Sequence, residues 1–101
     1  MSRAAIRRVG DGRLALEGEL SFATVTRLLG EANRLLEQSE EIRIDLQAIT
    51  RADSAGLALL VECMRSAQQL GKPIQFLNIP QQMLAIARVS SLDQVLPLSR
   101  G

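Results

Sequence analysis

Few side chains in this sequence have the chemistry of an active site, and their spacing narrows them further. Histidine is absent, so the commonest general base and metal ligand is missing. Ser54 therefore has no imidazole to activate it as a nucleophile. Asp45 and Asp53 are separated by a strand end and a turn, and no regular geometry pairs their carboxylates. No Gly-rich phosphate loop and no metal-ligand spacing occurs. Cys63, the single cysteine, falls within an apolar helical pattern and reads as a small hydrophobe or a partly exposed bystander. What remains is Asp53-Ser54 at the start of a helix, where free N–H groups and partial positive charge collect. A hydroxyl there can accept a phosphate or contact an anion. Either residue can equally serve as a plain N-cap, and spacing alone leaves the two readings open.

Composition sets the setting for that hydroxyl. The chain has 101 residues, enough for one domain spanning 1–101. Aromatics make up only 2% of it, with no Trp and no Tyr, which argues against base-stacking recognition of single strands. Twelve Lys+Arg against eleven Asp+Glu give a net charge of +1, no electrostatic footprint for nucleic acid. Arg3, Arg7, Arg8 and Arg13 crowd the N-terminus and read as a solvated hairpin, with weak attraction to an acidic partner or lipid as the alternative. A lone cysteine fits a reducing compartment. Met1–Arg13 lacks the apolar stretch of a signal peptide, and no apolar run approaches the ~20 residues that span a bilayer. The expectation is a cytoplasmic chain without direct membrane insertion.

Positioning elements follow from periodicity. Ala4–Val9 and Arg13–Glu17 flank Gly10-Asp11-Gly12 and predict a β-hairpin. Ser21 opens a helix whose Phe22, Val25, Leu28, Leu29, Ala32, Leu35 and Leu36 form one inward stripe. Ile42, Ile44 and Leu46 alternate with polar residues as in a strand. A second helix is expected from Ser54 to Leu70, with Gly71 as left-handed cap and Pro73 as stop. Ile74–Asn78 predicts another strand, and Pro80 the first turn of a third helix through Val89. Val95–Leu98 closes the chain. The ββαβαβα order predicts an α/β fold: a mixed sheet of four or five strands, with helices packed mainly on one face.

Helical spacing puts Leu57, Leu60, Val61, Met64, Ala67 and Gln68 on the inner side of the second helix. Ala55, Leu59, Glu62, Cys63 and Ser66 fall on the other side. Leu59 then packs on a neighbouring helix or joins an exposed patch. Ala55 and Gly56 would keep the surface beside Ser54 flat for a partner. Asp53, Ser54, Ala55, Gly56, Leu59 and Glu62 make up the candidate partner-binding surface.

Gly18-Glu19-Leu20 before the first helix, Ile44-Asp45-Leu46, and Asp53-Ser54-Ala55-Gly56-Leu57 opening the second helix together resemble the STAS domain, over residues 5–97. The Asp-Ser-x-Gly-Leu element is the specific part. The resemblance implies the STAS fold and a binding role without catalysis or cofactor. Within the family, the run Asp53 to Leu60 is most similar to the small STAS subunits of Mla-type ABC systems. Those sit on the cytoplasmic ATPase of an inner-membrane phospholipid transporter that maintains outer-membrane lipid asymmetry. In the family's anti-sigma factor antagonists, the residue matching Ser54 is a phosphoacceptor, and its phosphate blocks binding. Such antagonists usually carry Asp where Ser21 stands, and Ser or Thr where Ala55 stands. Both departures, with the Leu-rich opening of the second helix, favour the transporter subunit over the antagonist.

Overall fold

The computed structural model describes residues 4–99, so Arg3 of the N-terminal arginine group lies outside the described residues. Alternating apolar and polar residues make each strand two-faced. In β3 (Ile42–Ala52), Ile42, Ile44 and Leu46 are buried while Arg43 and Gln47 are exposed. In β2 (Arg13–Leu20), Leu14, Leu16 and Leu20 are buried in the same way. With β1 (Ala4–Gly10), β4 (Ile74–Leu77) and β5 (Leu98–Ser99) they form one five-stranded sheet in the order β1-β2-β3-β4-β5. β1 runs antiparallel to β2, and every other neighbouring pair is parallel. The sheet is therefore mixed, as expected, with a polar outer face on which Arg7 pairs with Glu17.

The other face is covered by helices α1 (Phe22–Glu37), α2 (Ser54–Gln69) and α3 (Gln81–Val89). α1 packs beside α2, and α3 flanks α2. One apolar cluster joins Leu14, Leu36, Ile44, Leu60, Phe76 and Met83 from strands and helices alike. Chain order is ββαβαβα, followed by a 3-10 turn at Leu92–Gln94 and the two-residue β5; of the expected closing segment Val95–Leu98, only Leu98 enters a strand.

Both large helices have defined ends. Ser21 caps α1: its hydroxyl accepts from the Ala23 N–H at 3.3 Å. The Ser21 N–H donates to Thr24 Oγ1 at 3.0 Å, which completes a capping box. α2 ends in a Schellman turn. The Lys72 N–H reaches the Ala67 carbonyl at 2.9 Å and that of Gly71 the Gln68 carbonyl at 3.1 Å, with Gly71 at φ +68°. Lys72 then extends its ammonium to the carbonyls of Leu36 and Glu37 at 2.8 and 2.9 Å. One cation thus satisfies the open carbonyl end of α1 from the exit of α2.

The helices differ from expectation in which side chains they bury. Phe22 is 81% exposed rather than inward: it is the first residue of α1, two residues past the end of β2. Val25, Leu29 and Leu35 pack only partly against the core. On α2, Gln68 is exposed and Val61 half-buried. Pro80 is the N-cap of α3 rather than part of its first turn.

Candidate functional site

β2 and β3 run parallel and each leads directly into a helix. Leu20 and Ala52 are paired partners at the ends of the two strands. β3 stays in step with β2 through two register shifts, one between Ala15 and Glu17 and one between Gly18 and Glu19. The Asp53 N–H closes the pairing by donating to the Leu20 carbonyl at 3.2 Å. Ser21 and Asp53, the caps of α1 and α2, thus leave the sheet side by side, and two helix N-termini open on the same edge.

The structure decides between the two capping residues. The Ala55 N–H donates to Asp53 Oδ1 at 2.8 Å, so Asp53 is the cap of α2. Ser54 is the first helical residue and is exposed. Its hydroxyl makes no hydrogen bond to the protein among the described residues. It borders an open depression of about 480 Å³, to which Ser21, Arg51, Gln82 and Ile86 also contribute. Arg51 and the two helix N-termini bring positive potential to this rim, balanced by Glu19 and Asp53.

Three of the predicted surface residues belong to the interior. Ala55 is 5% and Leu59 3% exposed, and Gly56 is buried. Gly56 does not flatten an outer surface; it lets α2 approach the strand ends. Leu59 is not a surface patch, because α2 packs against α1 as well as the sheet and so buries two adjacent faces. Cys63 is fully buried on that second face. Burial, with a smaller contribution from the Glu62 charge, pushes its thiol up to about 12. Glu62 itself is exposed, as predicted, and contacts Arg65 at 3.5 Å.

Ala55 and Leu59 are nonetheless reached from the surface. They form the floor of an apolar groove of about 160 Å³ between α1 and α2, walled by Phe22, Val25 and Leu29, with Glu62 on its rim. Groove and depression adjoin through Ser21-Phe22 and Ser54-Ala55. Sequence reasoning missed Phe22 and Arg51. The available signal for Phe22 was its position directly after the Ser21 cap. Arg51 gave no such signal, since it lies at the far end of a strand longer than its alternation suggested.

Among the described residues no group of His, Cys, Asp and Glu could hold a metal ion. A free hydroxyl, a nearby guanidinium and an apolar groove suit contact with another protein.

A family model described as "Mlab, STAS domain" matches residues 5–98. The chain belongs to the STAS domain family. Solved structures of that fold superpose over nearly all of it. An anti-sigma factor antagonist from Mycobacterium paratuberculosis gives a TM-score of 0.77 at 20% identity, covering 100% of this chain and 87% of its own. The unphosphorylated anti-sigma factor antagonist SpoIIAA gives 0.75 at 16% identity, covering 98% and 88%. A STAS-domain anti-sigma-factor antagonist from Planctomyces limnophilus gives 0.75 at 14% identity, covering 97% and 92%. At these identities the likeness is one of fold. No curated protein matches the sequence.

Proposed function

We propose that this chain is the non-enzymatic STAS subunit of an Mla-type ABC phospholipid transporter, bound to the transporter's cytoplasmic ATPase and supporting its assembly and activity. The transporter in this reading maintains outer-membrane lipid asymmetry, and the subunit reaches the inner membrane only through the complex. One observation carries the reading: Ser54 and Phe22 stand exposed at two adjoining helix N-termini, and neither is used by the fold. The description of the matching family supports the transporter over other STAS roles. So does the Leu-rich opening of α2, with Ala55 rather than a second hydroxyl beside Ser54. No helix among the described residues is long and apolar enough to cross a membrane, in keeping with attachment through a partner.

A second reading, an anti-sigma factor antagonist switched by phosphorylation of Ser54, is favoured by one feature. The free hydroxyl lies at the amide end of α2 with Arg51 on the same rim, where a phosphate would find cationic partners. Affinity purification of the tagged chain from its own host separates the two. Co-purification of an ABC-type ATPase with its permease is the expected result. A small kinase or a sigma-binding protein in its place would overturn the transporter reading.

A further inference from the structure

We propose that the groove between α1 and α2 seats a single large apolar side chain of the ATPase subunit, and that Glu62 pairs with a basic residue beside that anchor. This rests on the transporter reading above and adds to it where the partner grips.

The size of the groove sets the size of its occupant. A cavity of roughly 150 Å³ lined by aliphatic side chains accepts one benzene; this groove measures about 160 Å³. It has room for one Leu, Met or Phe side chain and not for the broad face of a helix. Its walls and floor are mostly the apolar Phe22, Val25, Leu29, Ala55, Ala58 and Leu59, with Thr26 the one polar residue besides Glu62. Its polar edge carries a carboxylate, Glu62, whose contact within the chain is an exposed pair with Arg65 at 3.5 Å. Such a pair is readily exchanged for a better one. The complementary surface is therefore an apolar anchor with Lys or Arg next to it, and an acidic neighbour would be repelled.

Position ties the groove to Ser54. Its floor begins at Ala55, the next residue, and its wall at Phe22, next to Ser21 on the rim that Ser54 shares, so the groove mouth adjoins the Ser54 depression. Phe22, 81% exposed on the wall, is the aromatic such a partner would bury; interface energy concentrates on side chains of this kind.

The test fills the groove from within. Ala58 and Thr26 are exposed and face it from opposite helices, so Ala58→Phe and Thr26→Trp each place a ring where the anchor would go. Binding to the purified ATPase is measured for both and for Glu62→Lys, with Val89→Ser on the outer side of α3 as control. The expected result is unchanged circular dichroism and roughly thirtyfold weaker binding for at least one plug. Glu62→Lys should associate more slowly, most clearly at low salt, and the control should bind like wild type. Wild-type affinity in both plug variants, each folded, overturns the groove proposal and leaves the transporter reading standing. Failure of the wild-type chain to bind the ATPase at all overturns both. A wild-type dimer that the plugs convert to monomer in sedimentation would reassign the groove to a second copy of this chain and overturn the ATPase as its occupant.

Discussion

Gly56 lies so close under Leu20 that a β-carbon placed on it would stand 3.0 Å from the Leu20 Cβ and 3.1 Å from that of Ala52. Leu20 and Ala52 are paired across β2 and β3, so both β-carbons are held by the sheet and cannot retreat. Gly56→Ala gains about 1 kcal/mol of helix propensity but incurs an overpacking penalty of about 1–3 kcal/mol. A net loss near 1 kcal/mol is expected in urea unfolding. A variant more stable than wild type would show that α2 can shift away from the strand ends.

Leu59 provides a sharper test of the packing. It is 3% exposed between α1, α2 and the core. Leu59→Ala should destabilise by about 2–5 kcal/mol. Leu59→Asp should unfold the domain, because a buried unpaired carboxylate costs more than a small domain's margin. A cooperative thermal transition for Leu59→Asp near the wild-type temperature would contradict the burial.

Asp53 and Ser54 should separate cleanly when mutated. Asp53→Ala removes the bond to the Ala55 N–H and should cost about 0.5–2 kcal/mol. Ser54→Ala should stay within about ±0.5 kcal/mol, as expected of an exposed residue with no partner. Ser54→Glu adds bulk and charge at a helix N-terminus that tolerates an anion. It should melt near wild type, fail in pull-down of the ATPase, and leave the host as detergent-sensitive as loss of the subunit. Retained binding would confine Ser54 to the edge of the interface.

Cys63 predicts a pH response. Its thiol ionises near 9.0 in an ordinary setting and is pushed up to about 12 by burial. Between those values the unfolded chain has lost this proton and the folded chain keeps it, so stability from Cys63 is complete below pH 9.0 and falls as pH rises toward 12. Cys63→Ala should flatten that alkaline loss while lowering stability at neutral pH through the smaller side chain. A thiol reagent at pH 8 should label the native protein only at the rate of its unfolding. Rapid labelling of folded protein would show that the α1–α2 seam opens.

Much of the fold was legible because its signals are local. The caps at Ser21 and Gly71, the alternation of Ile42, Ile44 and Leu46, and the ββαβαβα order all stand in short windows. The sequence also marked Asp53-Ser54 as a helix start. It did not decide which of the two caps, since that depends on which side chain the end of β3 turns toward Ala55. The α2 wheel placed Leu59 and Cys63 on the face away from the sheet but could not say whether a helix covers that face. Periodicity does not show that α2 meets α1 as well as the sheet, which is what buries Leu59 and Cys63. Phe22 was misplaced: the stripe of α1 includes it by spacing, while it is the first residue of the helix and exposed.

The Lys72 contact with Leu36 and Glu37 bears on how fast a partner could bind. It fastens the far end of α1 to the exit of α2, while Ser21 and Asp53 anchor the near ends to adjoining strands. Both walls of the groove are thereby held in register before any encounter. Docking then requires no search among loop conformers and little loss of backbone freedom. Association should proceed as a near rigid-body step, limited by orientation and by the charge around the rim, and loosening Lys72 should slow it from a distance without touching the interface.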